Sequence, residues 1–216
     1  MSSVRLAAPL IALALAACLP LEATKYHTVD PVVVVHGASG DELGVSTPYG
    51  VVFLGRTAKS GRIEFTAWFG DGPSREEGVV EPMAGNVFAT ESEILLPSVA
   101  LCFDSLPAGT EVMVRGRRGD EPFEFPAVLA SDPRVEGVLL DHGAELDQLT
   151  DAELGAGVFL VEPARPMRLV GLVSGRLELD GRRFVTVLGP EDLWHLVVHR
   201  RNTERPRRWV YRDDVR

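Results

Sequence analysis

The sequence predicts a mainly β fold that ends in one α-helix. Short runs rich in Val, Ile, Phe and Leu follow one another from Pro31 onward, and clusters of Gly, Pro, Asp and Ser separate them. This rhythm of short strands and turn residues is typical of β-sandwiches and β-barrels. Segments such as 123–125 alternate between apolar and polar residues, as expected of strands with one face in water. The predicted strands are 32–35, 50–54, 62–68, 78–80, 86–89, 94–96, 99–103, 111–115, 122–129 and 135–140.

The clearest local signals lie near the C-terminus. Asp180-Gly181 separates the apolar segments 177–179 and 183–187, and this dipeptide is favoured in two-residue hairpin turns because both turn positions need a positive φ. A helix is predicted to begin at Pro190, since proline suits the first helical position and acidic residues follow it. The predicted helix then carries an apolar stripe of Leu193, Trp194, Leu196 and Val197.

Length, charge and cysteine content restrict the function. The chain has 216 residues and a net charge of -9, which argues against a nucleic-acid partner because phosphate neutralisation needs clustered Lys and Arg. Segment 200–216 is nevertheless basic, with seven arginines and three acidic residues, and we refer to 201–216 as the basic tail. Its Trp209 and Tyr211 either pack against the body or lie near anionic lipid. Cys102 lies in an apolar run and is predicted to be a buried core side chain.

The N-terminal segment has the features of a secretory signal. Arg5 precedes an apolar stretch at 6–15, and this stretch is too short to cross a bilayer as a helix. Leu15-Ala16-Ala17-Cys18 closes the stretch and resembles the lipobox of bacterial lipoprotein precursors.

This resemblance implies how the chain is processed and where it is located. Residues 1–17 would be a signal peptide that is removed, Cys18 would carry diacylglycerol, and residues 18–30 would form a lipidated tether to the membrane. Leu19 stands where the family's inner-membrane retention signal has Asp, so we expect a cell-envelope location with the outer membrane favoured. The alternative is an ordinary signal peptide in which Cys18 has no role.

The second half of the chain resembles the end of trypsin-like serine peptidases. Segment 155–159, Gly-Ala-Gly-Val-Phe, is similar to the family's G-x-S-G-G-P-V-F block. Segment 169–175 is similar to the next strand, and 184–187 to the strand that leads into the closing helix. The resemblance implies a double β-barrel, with the first barrel at 31–105 and the second, with its terminal helix, at 106–200. Another β-sandwich or barrel is the alternative.

The sequence departs from this family at the catalytic positions. Such a peptidase needs a hydroxyl nucleophile, an imidazole base and a carboxylate that orients the base. Leu154 stands where the nucleophilic serine would be, and Trp68 follows Thr66-Ala67 where the resemblance would place the histidine. No catalytic residue, cofactor or metal is therefore predicted. The positions interpreted as a possible relict cleft are Leu154, Gly155, Ala156 and Gly157.

The predicted function is a non-catalytic binding or structural protein of the envelope, anchored to the membrane through Cys18 and with a protein or peptide as its possible partner. The alternative is a divergent hydrolase. A serine hydrolase would use a residue such as Ser174. A metal-dependent one would use His142 or the pair His195 and His199, which stand four apart on the predicted helix.

Three local patterns admit other interpretations. Thr150 and Glu153 can form the capping box of a helical turn that Gly155 ends, which explains the same glycine without peptidase ancestry. Segment 30–37, with its four valines and His36, resembles the opening of an α/β-hydrolase, but the required G-x-S-x-G elbow is missing. One crowded loop is interpreted as a solvated acidic turn rather than a cation site: Asp141, His142, Glu145 and Asp147.

Overall fold

The computed structural model describes residues 30–82, 87–92, 96–141, 143, 146 and 148–203. The strands in this part of the chain are β1 Val32–Gly37, β2 Gly40–Thr47, β3 Gly50–Phe53, β4 Gly61–Phe69, β5 Gly72–Pro82, β6 Phe88–Ser92, β7 Ala100–Leu101, β8 Glu111–Arg118, β9 Glu121–Ala130, β10 Val138–Asp141, β11 Gly157–Leu160, β12 Arg168–Leu179 and β13 Arg182–Leu188. A 3₁₀ turn covers Asp151–Glu153, and helix α1 covers Pro190–Thr203. Residues 1–29, with Cys18, lie outside the described residues, as do residues 204–216 of the basic tail.

The first six strands form a closed antiparallel barrel, called barrel 1. Their order is β1, β2, β3, β6, β5, β4, and pairing of β1 with β4 closes the barrel. Val33 and Val35 of β1 point into the barrel interior, whereas Val32 belongs to the core on the other side of the strand. Because both faces of β1 are covered, its sequence is a continuous apolar run instead of an alternating one.

Strands β8 to β13 form a second closed barrel, called barrel 2. Their order is β11, β8, β9, β10, β13, β12, pairing of β11 with β12 closes the barrel, and β7 joins β12 in parallel. Leu179 pairs directly with Arg182, and the two intervening residues, Asp180 and Gly181, have φ values of 50° and 76°. The predicted two-residue hairpin turn is confirmed.

One apolar cluster extends from barrel 2 across the junction into barrel 1. Helix α1 seals one side of it, since Leu193 is fully buried and Val197 is 2% exposed. The predicted helix start at Pro190 is confirmed, and so is the burial of Cys102, whose side chain is fully covered. Among the described residues, we find no helix with both the length and the apolarity needed to cross a membrane.

The mainly β prediction is confirmed, with two local corrections. The structure also agrees with setting aside the α/β-hydrolase resemblance of 30–37, because β1 belongs to an antiparallel barrel. The predicted strand at 99–103 is reduced to the two residues of β7. Strand β2, Gly40–Thr47, was not predicted at all, because glycines and charged residues dominate its first half.

Candidate functional site

The candidate site lies at the junction of the two barrels, around the turn that precedes β11. The turn Asp151–Glu153 begins after Thr150, whose backbone N–H donates a hydrogen bond to the carboxylate of Glu153. Gly155 ends the turn with a φ of 96°, a conformation that strains any residue with a side chain. The predicted capping box and its terminating glycine are therefore both present.

Backbone atoms of barrel 1 pack directly against this turn. The Leu43 N–H of β2 donates to the Leu154 carbonyl at 3.4 Å, and a Cβ on Gly155 would stand 2.1 Å from the Leu43 carbonyl oxygen. Behind the turn, the Gly155 N–H donates to the Val173 carbonyl at 2.8 Å. The two barrels are therefore in direct contact at this turn, while the Leu154 side chain stays half-buried.

The four positions interpreted as a relict cleft lie together in this junction. Gly155, Ala156 and Gly157 are buried, and Leu154 is half-buried with its side chain against the shared core. Ala156 donates its N–H to the Glu153 carbonyl at 3.1 Å and accepts from the Val173 N–H at 2.8 Å. The segment is therefore held by packing and by backbone hydrogen bonds on both sides.

The side chain of barrel 1 that reaches the turn is Arg56, in the loop after β3. Its guanidinium donates from Nη1 to the Asp151 carbonyl at 2.8 Å. The loop is fixed by Glu42, which is 2% exposed and accepts hydrogen bonds from the Arg56 N–H, the Thr57 N–H and the Thr57 hydroxyl at 3.2, 2.8 and 2.7 Å. Buried carboxylates are tolerated when donors saturate them in this way. Sequence reasoning missed Glu42 and Arg56, because β2 itself was not predicted.

Glu153 forms the second buried charge of the site. Its Oε1 accepts a 2.7 Å hydrogen bond from Arg118 Nε of β8, and Arg118 also lies over the Phe123 ring. Burial opposes ionisation of Glu153, but the hydrogen bonds from Thr150 and Arg118 outweigh burial and hold the pKa of this carboxyl below its usual range. The carboxylate is thus committed to capping the turn and to pairing with Arg118.

The residues predicted to lead into a histidine position lie elsewhere. Thr66 and Ala67 are in the middle of β4, and the following Trp68 lies under the guanidinium of Arg117, 3.7 Å from the ring centroid. Thr66 and Ala67 are therefore residues of a paired strand, and Trp68 contacts barrel 2 through Arg117. The side chain of barrel 1 that contacts the turn before β11 is Arg56. Its guanidinium does not accept a proton at neutral pH.

Arg117 also forms a buried ion pair across the junction. Its Nη2 lies 2.9 Å from Asp30 Oδ2, and the two side chains are only 6% and 12% exposed. Asp30 Oδ1 accepts the Val32 N–H at 3.0 Å, and Arg117 Nη1 donates to the Asp120 carbonyl at 2.6 Å. Asp30 lies two residues before β1, so this pair ties the entry to barrel 1 to barrel 2.

A separate polar cluster lies on the outer face of barrel 1. His36 Nδ1 is 2.9 Å from Asp41 Oδ1, and His36 Nε2 is 2.8 Å from the Thr66 hydroxyl. His36 is 22% exposed and Asp41 is 62% exposed. The order carboxylate, imidazole, hydroxyl is the order in which a base activates a nucleophile, although Thr66 sits within a strand that is paired on both sides.

The other predicted candidates are not brought together by the fold. Ser174 donates its hydroxyl to Thr186 at 3.0 Å, His195 is exposed on α1, and Asp141 lies 3.7 Å from Arg182. Within the described residues, no group of three or more His, Cys, Asp or Glu side chains can hold a metal ion. The side chain of His199 and three residues of the acidic loop lie outside the described part of the chain: His142, Glu145 and Asp147.

A shallow groove of about 430 Å³ lies on barrel 2 and shares no residue with the junction. The β12–β13 hairpin forms most of it, with buried Phe184 and Val185 as its floor and Arg176 and Arg183 on its walls. Leu146 also lines this groove, and none of its lining residues is a serine, threonine, cysteine or histidine.

Comparison with known proteins places this architecture. No family model matches the chain, and no curated protein matches it. Among solved structures, the inactive form of Rv3671c from M. tuberculosis is similar over 82% of this chain and 89% of that chain, with a TM-score of 0.52 and 17% identity. The fold is the trypsin-like double β-barrel.

Two further structures share the trypsin-like fold. The serine protease of a human pathogenic astrovirus matches with a TM-score of 0.53 and 15% identity, over 78% of this chain and 96% of that chain. Human heparin binding protein matches with a TM-score of 0.53 and 14% identity, over 82% of this chain and 93% of that chain. The prediction of a trypsin-like double barrel is confirmed. At these identities the likeness shows a shared fold and gives no information about activity.

Proposed function

We propose that this protein is a membrane-anchored envelope lipoprotein in which a trypsin-like fold serves binding or structure instead of catalysis. The anchor is diacylglycerol on Cys18, the favoured location is the outer membrane, and the partner is a protein or peptide. The observation that carries the proposal is the junction at Leu154, the position that the sequence resemblance assigns to the nucleophile, where an aliphatic side chain and a backbone contact between the barrels are found.

The chemistry of the junction supports a non-catalytic role. Acyl transfer needs an oxygen or sulfur nucleophile and a base within hydrogen-bond reach. Leu154 supplies neither atom, and the neighbouring side chain of barrel 1 is Arg56, which stays protonated. Glu153 and Glu42 are acceptors that are already saturated by Arg118, Thr150, Arg56 and Thr57.

The packing of the junction supports the same conclusion. A catalytic cleft must admit a substrate carbonyl within about 3 Å of the nucleophile and of the donors that stabilise the oxyanion. Here the Leu43 backbone lies against Leu154 and Gly155 at hydrogen-bonding distance. A binding role is compatible with this arrangement because the outer surfaces of both barrels remain available, and one structural neighbour is itself named as a binding protein.

Two measurements on the protein purified from membranes test the proposal. A fluorophosphonate probe is expected to label no residue, while a serine protease of the same fold in the same tube is labelled. Mass spectrometry is expected to find diacylglycerol on Cys18 and the residues before it removed. Hydrolysis of peptides or esters that is lost on changing one polar residue would refute the non-catalytic role, and an unmodified Cys18 would refute the anchor.

One observation favours a second candidate, a divergent hydrolase that uses Thr66. The distances from His36 to Asp41 and Thr66 suit activation of the hydroxyl. This candidate ranks second because the backbone of β4 is engaged in the sheet on both sides, which leaves no strand N–H groups to stabilise an oxyanion. It requires a fluorophosphonate adduct on Thr66 that disappears in His36→Ala and persists in Ser174→Ala.

A further inference from the structure

Three of the exposed large apolar side chains in the described part of the chain, Phe103, Trp194 and Val198, lie on or against α1. Six such side chains are at least 37% exposed, and four of them are Phe103, Val161, Trp194 and Val198, which we call the aromatic patch. The other two, Val79 and Val128, lie on β5 and β9. Soluble monomers rarely expose contiguous apolar surface without using it, so the aromatic patch points to a contact.

The geometry of the aromatic patch is fixed by the fold. The Phe103 and Trp194 rings meet edge to face, with centroids 5.7 Å apart and an interplanar angle of 86°. Val198 follows Trp194 by four residues on α1 and therefore lies on the same helix face. The three side chains form a preformed surface, because the buried residues Leu193 and Val197 hold the adjacent face of the helix against the core.

Arg168 connects Val161 to this surface. Its Nη1 lies 2.6 Å from Asp104, the residue after Phe103, and its Nη2 lies 2.7 Å from Glu162, the residue after Val161. These two ion pairs hold the ends of β7 and β11 side by side. Glu162 also pairs with Arg165 at 3.4 Å, so two arginines match the charges of Asp104 and Glu162 and the aromatic patch carries little charge of its own.

The chain that continues from α1 is strongly basic. Segment 200–216 contains seven arginines and three acidic residues, whereas the protein as a whole has a net charge of -9. An aromatic and aliphatic surface next to an arginine-rich segment is the combination that the interface of an anionic bilayer binds. The rings enter the headgroup region while the arginines meet lipid phosphates. The acidic remainder of the chain would be repelled from the same lipids.

We infer that the aromatic patch is the face that rests on an anionic bilayer surface, and that the positive charge of segment 200–216 favours anionic over neutral lipid. The inference rests on the proposed anchoring through Cys18 and adds an orientation to it. The anchor alone would let the barrels rotate above the membrane, because residues 18–30 are long enough to reach roughly 40 Å when extended. The second contact selects one face.

The test reads the depth of Trp194 in vesicles. The membrane-purified protein, carrying Trp209→Phe so that the tail does not contribute, is reconstituted into vesicles of phosphatidylcholine alone or with phosphatidylglycerol. Both lipids carry bromine on their acyl chains, which quenches tryptophan fluorescence on contact. Trp68 is covered by Arg117, so a further Trp194→Phe variant identifies the patch signal. We expect quenching in the anionic vesicles, little in the neutral ones, and loss of the quenched component in Trp194→Phe.

Matched variants and vesicle flotation separate the possible outcomes. Val198→Ser is expected to lose quenching, whereas Val128→Ser, at a similar exposure on β9, is expected to retain it. Equal quenching in both vesicle types overturns the inference, as does a Trp194 that is shielded from both bromolipid and iodide, since the chain itself or a second copy then covers the patch. If the protein floats with neutral vesicles but Trp194 is not quenched in anionic ones, the anchor stands and only the membrane contact of the aromatic patch is refuted. If the protein floats only with anionic vesicles and Trp194 is quenched there, the contact of the aromatic patch stands and only the anchor on Cys18 is refuted.

Discussion

Breaking the buried ion pair between Asp30 and Arg117 should loosen the contact between the barrels. Asp30→Ala leaves a guanidinium that is 6% exposed without its carboxylate, and Arg117→Met leaves a carboxylate that is 12% exposed without its guanidinium. Both changes remove one partner of a pair that is shielded from water. The cost therefore comes mainly from the uncompensated charge that remains, and less from the lost attraction.

The structure sets the size of the effect. Removing one member of a buried pair typically costs about 3 to 5 kcal/mol. Arg117 keeps its hydrogen bond to the Asp120 carbonyl and its contact with Trp68, so we expect the lower end for Asp30→Ala, about 3 kcal/mol. For a chain of this size that corresponds to a melting temperature lower by roughly 6 to 12 °C. The double variant should lose less than either single one, because neither charge remains and methionine can pack against Trp68.

Urea and thermal unfolding followed by far-ultraviolet circular dichroism measure these costs without relying on Trp68. The matched control is Arg62→Met, which breaks an exposed pair with Glu77 at 3.7 Å, and it should change the midpoint little because solvent screens that pair. The reasoning is refuted if Asp30→Ala behaves like Arg62→Met. It is also refuted if the costs of Asp30→Ala and Arg117→Met simply add in the double variant, since the coupling would then be absent.

Three further outcomes follow from the site. Gly155→Ala should cost about 3 kcal/mol, because its Cβ would meet the Leu43 carbonyl oxygen at a positive φ, whereas Gly119→Ala, at a φ of 61° with open space, should cost only about 1 kcal/mol. Glu153→Gln should lower stability at pH 7. Because the folded-state pKa of Glu153 is depressed, its contribution is complete above the ordinary carboxyl value of about 4.5 and is lost as the pH falls through the folded-state pKa. Cys102 is fully buried and should react with a maleimide only after unfolding.

Each of these outcomes has a clear contradiction. Equal urea midpoints for the two glycine variants would mean that the junction is open and that Leu43 does not contact the turn. Urea midpoints measured between pH 7 and pH 3 should fall less steeply in Glu153→Gln than in the parent. If the two proteins show parallel curves of urea midpoint against pH, the hydrogen bonds of Glu153 do not lower its pKa in the folded state. Fast modification of Cys102 in the native protein would contradict its place in the core.

The features that could be predicted are those fixed by neighbouring residues. The Asp180-Gly181 turn was predictable because two adjacent positive φ values admit few residue types. The turn before β11 was predictable because Thr150, Glu153 and Gly155 satisfy the capping rules within six residues. The trypsin-like fold was predicted from the order of several degenerate segments, and it did not depend on any single one of them.

The features that could not be predicted depend on residues distant in sequence. Strand β2 begins with polar residues, and the buried Glu42 is acceptable only because Arg56 and Thr57 bring it three donors. The contact of Leu43 with Leu154 joins the two barrels, and neither segment of the sequence indicates how the barrels are placed relative to each other. The apolar run at 99–103 predicted a full strand, but only two of its residues pair with β12.

Gly155 shows that two separate structural requirements can fix the same residue. Its positive φ ends a capped turn, and its missing Cβ also lets the Leu43 carbonyl approach, so two independent requirements fix the same glycine. Leu154 is under neither requirement. Its backbone accepts a hydrogen bond that any residue would accept, and its side chain adds apolar surface to the core that joins the barrels. In the proposed function, the position that would carry a nucleophile stabilises the junction instead, and placing a serine there would remove packing without supplying a base.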